Sequence, residues 1–90
     1  MRTLKKCRLS DIKVGEVFAE VFLDGEIFIH IKISETGKAN HSRFSRATKI
    51  CTLANTFTNG DWAGFTDYCH DGMSTKFYHL PKAVQQLWIS

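Results

Sequence analysis

The sequence predicts a small, mainly β fold: an antiparallel barrel or strongly twisted sheet of about five strands with a short C-terminal helix. Three features predict it. Isoleucine occupies every second position over 27–33, Asn59–Gly60 is a strong turn signal between two strand-like runs, and Pro81 precedes a stretch suited to a helix. Ninety residues suit one domain, so residues 1–90 are interpreted as a single domain.

A short turn is expected before the first strand. Ser10 or Asp11 can cap a single helical turn, and Gly15 can adopt a positive φ before the chain extends. We therefore expect the first strand to begin at Glu16.

Two strands, 16–22 and 26–34, form the first predicted hairpin, and their side chains select its register. A two-residue loop at Asp24–Gly25 would place aliphatic side chains opposite charged ones. A three-residue loop that begins at Leu23 pairs aliphatic residues with each other. It also puts Gly25 where a type I turn with a G1 bulge needs a left-handed residue. The three-residue loop is therefore predicted.

This register gives the hairpin two different faces. One is aliphatic and is predicted to be the main core: Val17, Ala19, Val21, Ile27, Ile29, Ile31 and Ile33. The other is too aromatic for a solvated face and too charged for a core: Glu16, Phe18, Glu20, Phe22, Phe28, His30 and Lys32. Two interpretations of the second face stay open. Either the rest of the chain covers it, or it is an aromatic and basic platform that binds a ligand through Phe28, His30 and Lys32.

The segment that follows, 34–49, is the most electropositive part of the chain. Arginine side chains suit phosphates and carboxylates, and a neighbouring ring offers a stacking surface. The alternative is a solvated loop without a partner. The candidate binding residues in this loop are Lys38, His41, Arg43, Phe44 and Arg46.

A second hairpin is predicted over 47–68, with its turn at Asn59–Gly60. That turn places Leu53 opposite Thr66, and Gly64 is a candidate for a bulge.

Residues 76–80 are the expected fifth strand. After Pro81 the chain can form a short helix with Val84, Leu87 and Trp88 on one face, and an edge strand is the alternative.

The sequence contains no motif that indicates catalysis, a metal or a cofactor. Cys7, Cys51 and Cys69 are odd in number and widely spaced, which favours reduced thiols over a disulfide framework. Cys69 and His70 are adjacent, and adjacent side chains do not easily point at one ion. We therefore expect no enzyme activity, no metal site and no cofactor.

The first third of the chain resembles small orphan proteins of bacteriophages and prophages. The resemblance rests on Leu9, Asp11, Ile12, Val14, Gly15 and Phe18, and on the strand ending Lys32 to Ser34. It implies a compact β fold and a non-enzymatic role as an inhibitor of a host factor, such as a defence complex in the manner of an anti-CRISPR protein, or of host transcription. The partner would be a host protein or a protein–nucleic acid complex in the host cytoplasm.

Two other functions remain as alternatives to host-factor inhibition. The net charge of +3 mildly favours anionic partners, so direct binding of nucleic acid or a nucleotide signal is the alternative function. A homo-oligomeric module is the third possible function, because an open sheet leaves edge strands to pair.

No apolar run reaches the length that spans a bilayer, and no signal peptide is recognised. We therefore expect a cytoplasmic protein without a membrane partner.

Overall fold

The computed structural model describes residues 4–34, 47–56, 63–70 and 75–89. Within these ranges the chain forms one six-stranded antiparallel sheet, in the order β1-β6-β2-β3-β4-β5, and one helix. The bounds are β1 Lys6–Cys7, β2 Val17–Val21, β3 Ile27–Lys32, β4 Thr48–Asn55, β5 Thr66–Cys69, β6 Lys76–His79 and α1 Lys82–Ile89, with a 3₁₀ turn at Leu9–Asp11. The predicted mainly β fold with a short C-terminal helix is confirmed. The short strand β1, which pairs with β6, was not predicted.

The sheet is curled but open. Strands β2 and β5 are separated by β3 and β4 in the strand order. In a flat sheet three strand spacings would hold them about 14 Å apart. Yet the carboxylate of Glu20 on β2 lies 3.6 Å from the thiol of Cys69 on β5. The sheet therefore bends strongly around its inner face, although among the described residues the end strands β1 and β5 are not paired with each other, so it is not a closed barrel.

The first hairpin has the predicted register. Val17 pairs with Ile31, and Phe18 pairs with His30. Gly25 has a φ of 91°, and its N–H donates to the carbonyl of Phe22. The three-residue loop is therefore confirmed, and so is the positive φ predicted for Gly15.

A bulge interrupts the pairing of β3 with β4. Ile29 pairs with Ala54, but the next residue, His30, pairs with Thr52, so Leu53 is an extra residue on β4. A bulge increases local twist and bends its strand. This one lies between the fourth and fifth strands of the sheet order, where it can add to the bend of β4 towards the inner face.

The predicted register of the second hairpin is wrong by two residues. Thr66 pairs with Cys51 and not with Leu53. A shift of two residues leaves every side chain on the same face, so the apolar pattern fits both registers equally well. Gly64, predicted as a bulge opposite Asn55, has a φ of 86° and donates its N–H to the carbonyl of Thr52. The N–H of Thr52 donates to the carbonyl of Phe65, so the hydrogen bonds are those of a G1 bulge opposite Thr52 and not Asn55. The predicted turn at Asn59–Gly60 lies outside the described residues.

The main core lies on the inner face of the curled sheet, contrary to the prediction. Among the described residues, the fully buried cluster there consists of Leu9, Ile12, Phe18, Ile50, Cys69 and Phe77. On the aliphatic face Val17 and Ala19 are buried, but Ile29 is half-buried and Ile33 is 42% exposed. The curl explains the reversal, because it encloses the inner face between strands and leaves the outer face to the short helix.

Helix α1 is attached to the outer face by a buried amide. The Gln85 side chain accepts a hydrogen bond from the N–H of Val17 and donates one to the carbonyl of Leu80. Val84 packs against the outer cluster, whereas Leu87 is 78% exposed. The helix is confirmed, and of the three residues predicted on one helical face only Val84 packs against the sheet, because Leu87 and Trp88 are exposed. Within the described chain, no helix combines the length and apolar character needed to cross a bilayer.

Candidate ligand-binding cavity

A row of rings follows the inner face of the first hairpin. The ring centroids of Phe22 and Phe28 are 5.2 Å apart, and those of Phe28 and His30 are 5.7 Å apart with nearly parallel planes. Phe18 continues the row at 5.4 Å from His30. These spacings are those of favourable aromatic contacts. Strand geometry builds the row, because Phe18 faces His30 directly, Phe28 and His30 are two residues apart on β3, and Phe22 is a diagonal neighbour of Phe28.

A cavity of about 410 Å³ opens between this row and strands β4 and β5. That volume falls within the usual range of small-molecule sites, about 300–1,000 Å³. Phe22, Phe28 and Tyr68 are half-buried in its wall, and Phe65 is 58% exposed at the surface. Its lining residues are Glu20, Phe22, Phe28, His30, Ile50, Thr52, Phe65, Thr66, Asp67, Tyr68 and Cys69.

Buried polar groups form one wall of the cavity. Glu20 and His30 are each 3% exposed, and Nε2 of His30 lies 2.8 Å from Oε1 of Glu20. In the tautomer with its hydrogen on Nε2, His30 donates that hydrogen to the carboxylate of Glu20. The hydroxyl of Thr75 donates to the other oxygen of Glu20, and the hydroxyl of Thr52 lies 3.1 Å from Nδ1 of His30. These hydrogen bonds hold the side chains of Glu20 and His30 in fixed positions.

Cys69 completes this wall. It is buried, and its thiol donates to Oε1 of Glu20 at 3.6 Å. Burial, followed by the negative charge of Glu20 and the hydrogen bond to it, raises the pKa of the Cys69 thiol far above its usual range. A thiol that stays protonated is a poor nucleophile.

Glu20, His30 and Cys69 also form a set of possible metal ligands. Their donor atoms, one oxygen, one nitrogen and one sulfur, all lie within 4.8 Å of one another. The sequence did not predict this set, because its members come from three different strands and only the curl of the sheet brings them together. Cys69 and His70 are adjacent in sequence and were predicted not to bind one ion together. Among the described residues they do not form a metal-ligand set with each other.

The predicted platform on the first hairpin is largely enclosed. Phe28 is half-buried and lines the cavity, and His30 is buried and lines it too. Lys32 is 1% exposed, and its ammonium donates to the carbonyls of Leu9 at 2.9 Å and Ile12 at 2.6 Å. The open-platform interpretation is therefore wrong for Lys32, because the 3₁₀ turn covers it. The rest of the chain covers the Lys32 end of this face, whereas the Phe28 end lines the cavity.

The predicted binding loop lies outside the described residues. Its five candidates, Lys38, His41, Arg43, Phe44 and Arg46, therefore stay a prediction. The chain leaves the described structure after Ser34 and returns at Ala47.

The sequence did not single out most of the cavity wall. Phe65, Tyr68 and Thr52 were assigned to the second hairpin without a functional role. Their proximity to Phe28 depends on the pairing of β3 with β4 and of β4 with β5, for which a single sequence carries little signal. The alternation of β2 did place Glu20 on the same face as Phe18, and that was the available signal.

Comparison of the chain with protein-family models, with curated proteins and with solved structures finds no match. The cavity and its residues are therefore the features that indicate a function.

Proposed function

We propose that this is a non-enzymatic binding protein that takes a planar ring, the base of a nucleotide or of a single-stranded nucleic acid, into the aromatic cavity. The observation that carries the proposal is the grouping of Phe22, Phe28, Phe65 and Tyr68 around one cavity beside buried polar groups. Every nucleobase has a flat π surface, and stacking on aromatic side chains is the usual way in which proteins hold unpaired bases.

The polar part of the cavity favours ring systems that donate hydrogen bonds. Asp67 lines the cavity and is exposed, and its Oδ1 accepts from the N–H of Tyr68 at 2.8 Å. Its Oδ2 can accept from an amino group of a bound base. The carboxylate of Glu20 is already engaged by His30, Cys69 and Thr75. We therefore assign recognition of the ring edge to Asp67, and expect bases with an exocyclic amine to bind more tightly than uracil.

Phosphate groups would be held outside the cavity. No Lys or Arg side chain is among the described residues that line it. The chain carries a net charge of +3, and its most basic stretch is 34–49. In this proposal the predicted loop residues Lys38, Arg43 and Arg46 supply the phosphate contacts, with affinity that falls as salt is raised.

Isothermal titration with nucleoside monophosphates and short single-stranded oligonucleotides tests the proposal. Phe65→Ala is the sharpest variant, because Phe65 is exposed at the cavity and its loss leaves the core intact. Removing one stacking ring typically costs about 1–3 kcal/mol, so affinity should fall roughly 5- to 150-fold. Trp88→Ala is the matched control, since Trp88 is an exposed ring on α1 away from the cavity.

Two results would overturn the proposal. One is no binding of any nucleotide or oligonucleotide at low salt. The other is binding that Phe65→Ala and Trp88→Ala weaken equally. Ribose 5-phosphate, which lacks a base, should bind much more weakly than the complete nucleotides.

Inhibition of a host factor, as the resemblance to phage proteins implies, stays a separate prediction. Its predicted contact residues lie mainly in 35–46, outside the described residues. A protein-surface inhibitor should capture its partner without affinity for free oligonucleotides, which distinguishes it from the cavity proposal.

A further inference from the structure

We infer that Glu20, His30 and Cys69 bind a Zn²⁺ ion in the cavity wall. The observation is the convergence of one carboxylate, one imidazole and one thiol, all buried, with donor atoms within 4.8 Å of one another. These are the three side-chain types that zinc takes most often. The inference does not depend on the proposed function, because it concerns the ion without any organic ligand.

The distances need little adjustment. Tetrahedral zinc with bonds of about 2.0–2.3 Å holds its donor atoms roughly 3.2–3.7 Å apart. Oε1 of Glu20 lies 2.8 Å from Nε2 of His30 and 3.6 Å from the sulfur of Cys69. Movements of about 1 Å or less, within the reach of rotamer adjustment, would place all three around one ion.

Charge and protonation also fit. Cys69 would bind as a thiolate and release its proton to solvent. His30 would bind through Nε2, with its remaining hydrogen on Nδ1 donated to the hydroxyl of Thr52, which lies 3.1 Å away. The hydroxyl of Thr75 already donates to the second oxygen of Glu20. Such outer contacts orient metal ligands in proteins. A divalent ion with one carboxylate and one thiolate has no net charge, which suits a buried site.

The cavity supplies the fourth position. All three ligands line it, so an ion there would face the open space of about 410 Å³. Three protein ligands with one open position are the pattern of zinc sites that exchange water or ligand, in contrast to closed structural sites.

The first test is metal binding by the full chain after removal of metal with a chelator and dialysis. Competition with a chromophoric chelator should give one Zn²⁺ per chain. Titration with Co²⁺ should give the near-ultraviolet charge-transfer absorption of a cobalt–thiolate bond. Binding of no Zn²⁺ at micromolar concentrations, or a Co²⁺ complex without that absorption, would overturn the inference.

Variants then identify the thiolate. Cys69→Ser should lose the cobalt–thiolate absorption and bind Zn²⁺ at least 100-fold more weakly. Loss of a residue that only hydrogen-bonds to a ligand lowers metal affinity by up to about 100-fold, and loss of a ligand itself should cost at least as much. Cys51→Ser is the matched control, because Cys51 is a half-buried thiol on β4 outside the ligand set, and it should keep both. The reverse pattern would refute the assignment.

X-ray absorption of the Zn²⁺-loaded wild-type protein identifies the atoms bound to Zn²⁺ even if the buried Cys69→Ser variant does not fold. One sulfur near 2.3 Å with nitrogen or oxygen ligands near 2.0–2.1 Å is expected. A shell without sulfur, or with two or more sulfurs, contradicts the site.

Discussion

Lys32 should be a structural residue whose charged end holds the 3₁₀ turn against the sheet. Its side chain is 1% exposed, and its ammonium donates to the carbonyls of Leu9 and Ile12 at 2.9 and 2.6 Å. Lys32→Met keeps most of the side-chain volume and removes the donor, so it isolates the two hydrogen bonds from the packing of the methylene chain.

The magnitude follows from these contacts. Hydrogen bonds from a charged donor contribute about 1.5–3 kcal/mol each, so two contribute roughly 3–6 kcal/mol. Part of this is offset, because methionine does not have to bring an ammonium out of water. We expect a net loss of about 2–3 kcal/mol in the free energy of unfolding. For a domain of this size that lowers the melting temperature by about 8–24 °C.

Urea unfolding followed by circular dichroism measures this loss, with Lys76→Met as the matched control on the exposed side of β6. The control should change stability by less than about 0.5 kcal/mol. Amide hydrogen exchange should show faster exchange at Leu9–Asp11 in Lys32→Met. Equal midpoints for the two variants, or a more stable Lys32→Met, would show that the ammonium of Lys32 does not stabilise the turn.

Three further outcomes are expected. Gly25→Ala should lower stability by about 1–2 kcal/mol, because the φ of 91° disfavours a side chain although no atom obstructs it, and an unchanged urea midpoint would contradict this. Gln85→Ala should lower the free energy of unfolding by about 2–4 kcal/mol, because the N–H of Val17 and the carbonyl of Leu80 each lose a hydrogen-bond partner. Thermal unfolding measures this change, and a loss below about 0.5 kcal/mol would contradict the role of the buried amide. Cys69 should resist alkylation in the native, metal-free protein while the other two cysteines react, because it is 4% exposed and its pKa is raised; mass spectrometry showing three adducts at similar rates would disprove this.

Sequence reasoning predicted local features well. The three-residue loop followed from one requirement, that Val17 and Val21 should face isoleucines and not charges, and the structure has that register. Pro81 correctly marked the start of the helix. These features depend on residues close together in the chain, for which side-chain alternation and turn chemistry are direct signals.

The sequence patterns did not predict the curl of the sheet, and the main errors in the predicted structure follow from it. Alternation showed that the first hairpin has two faces but not which face the curl would enclose. Lys32 illustrates the difficulty, because a lysine on a strand usually keeps its charged end in water. Here the carbonyls of Leu9, in the 3₁₀ turn, and of Ile12, directly after it, accept from the ammonium instead.

The candidate site was predicted only in part. Phe28 and His30 were identified because they share a face with other rings. Cys69 was dismissed because its neighbour in sequence cannot share an ion with it. Its actual neighbours, Glu20 and His30, lie far away in the chain and meet it only across the curled sheet.

The most direct test of the central claim is an NMR titration of ¹⁵N-labelled protein with adenosine monophosphate. Binding of the base in the cavity should shift the amides of Phe28, Thr52, Phe65 and Tyr68, which lie around it. Phe65→Ala should reduce these shifts. Shift changes confined to the outer isoleucine face or to residues 35–46, or none at millimolar ligand, would contradict the claim that the cavity binds a base.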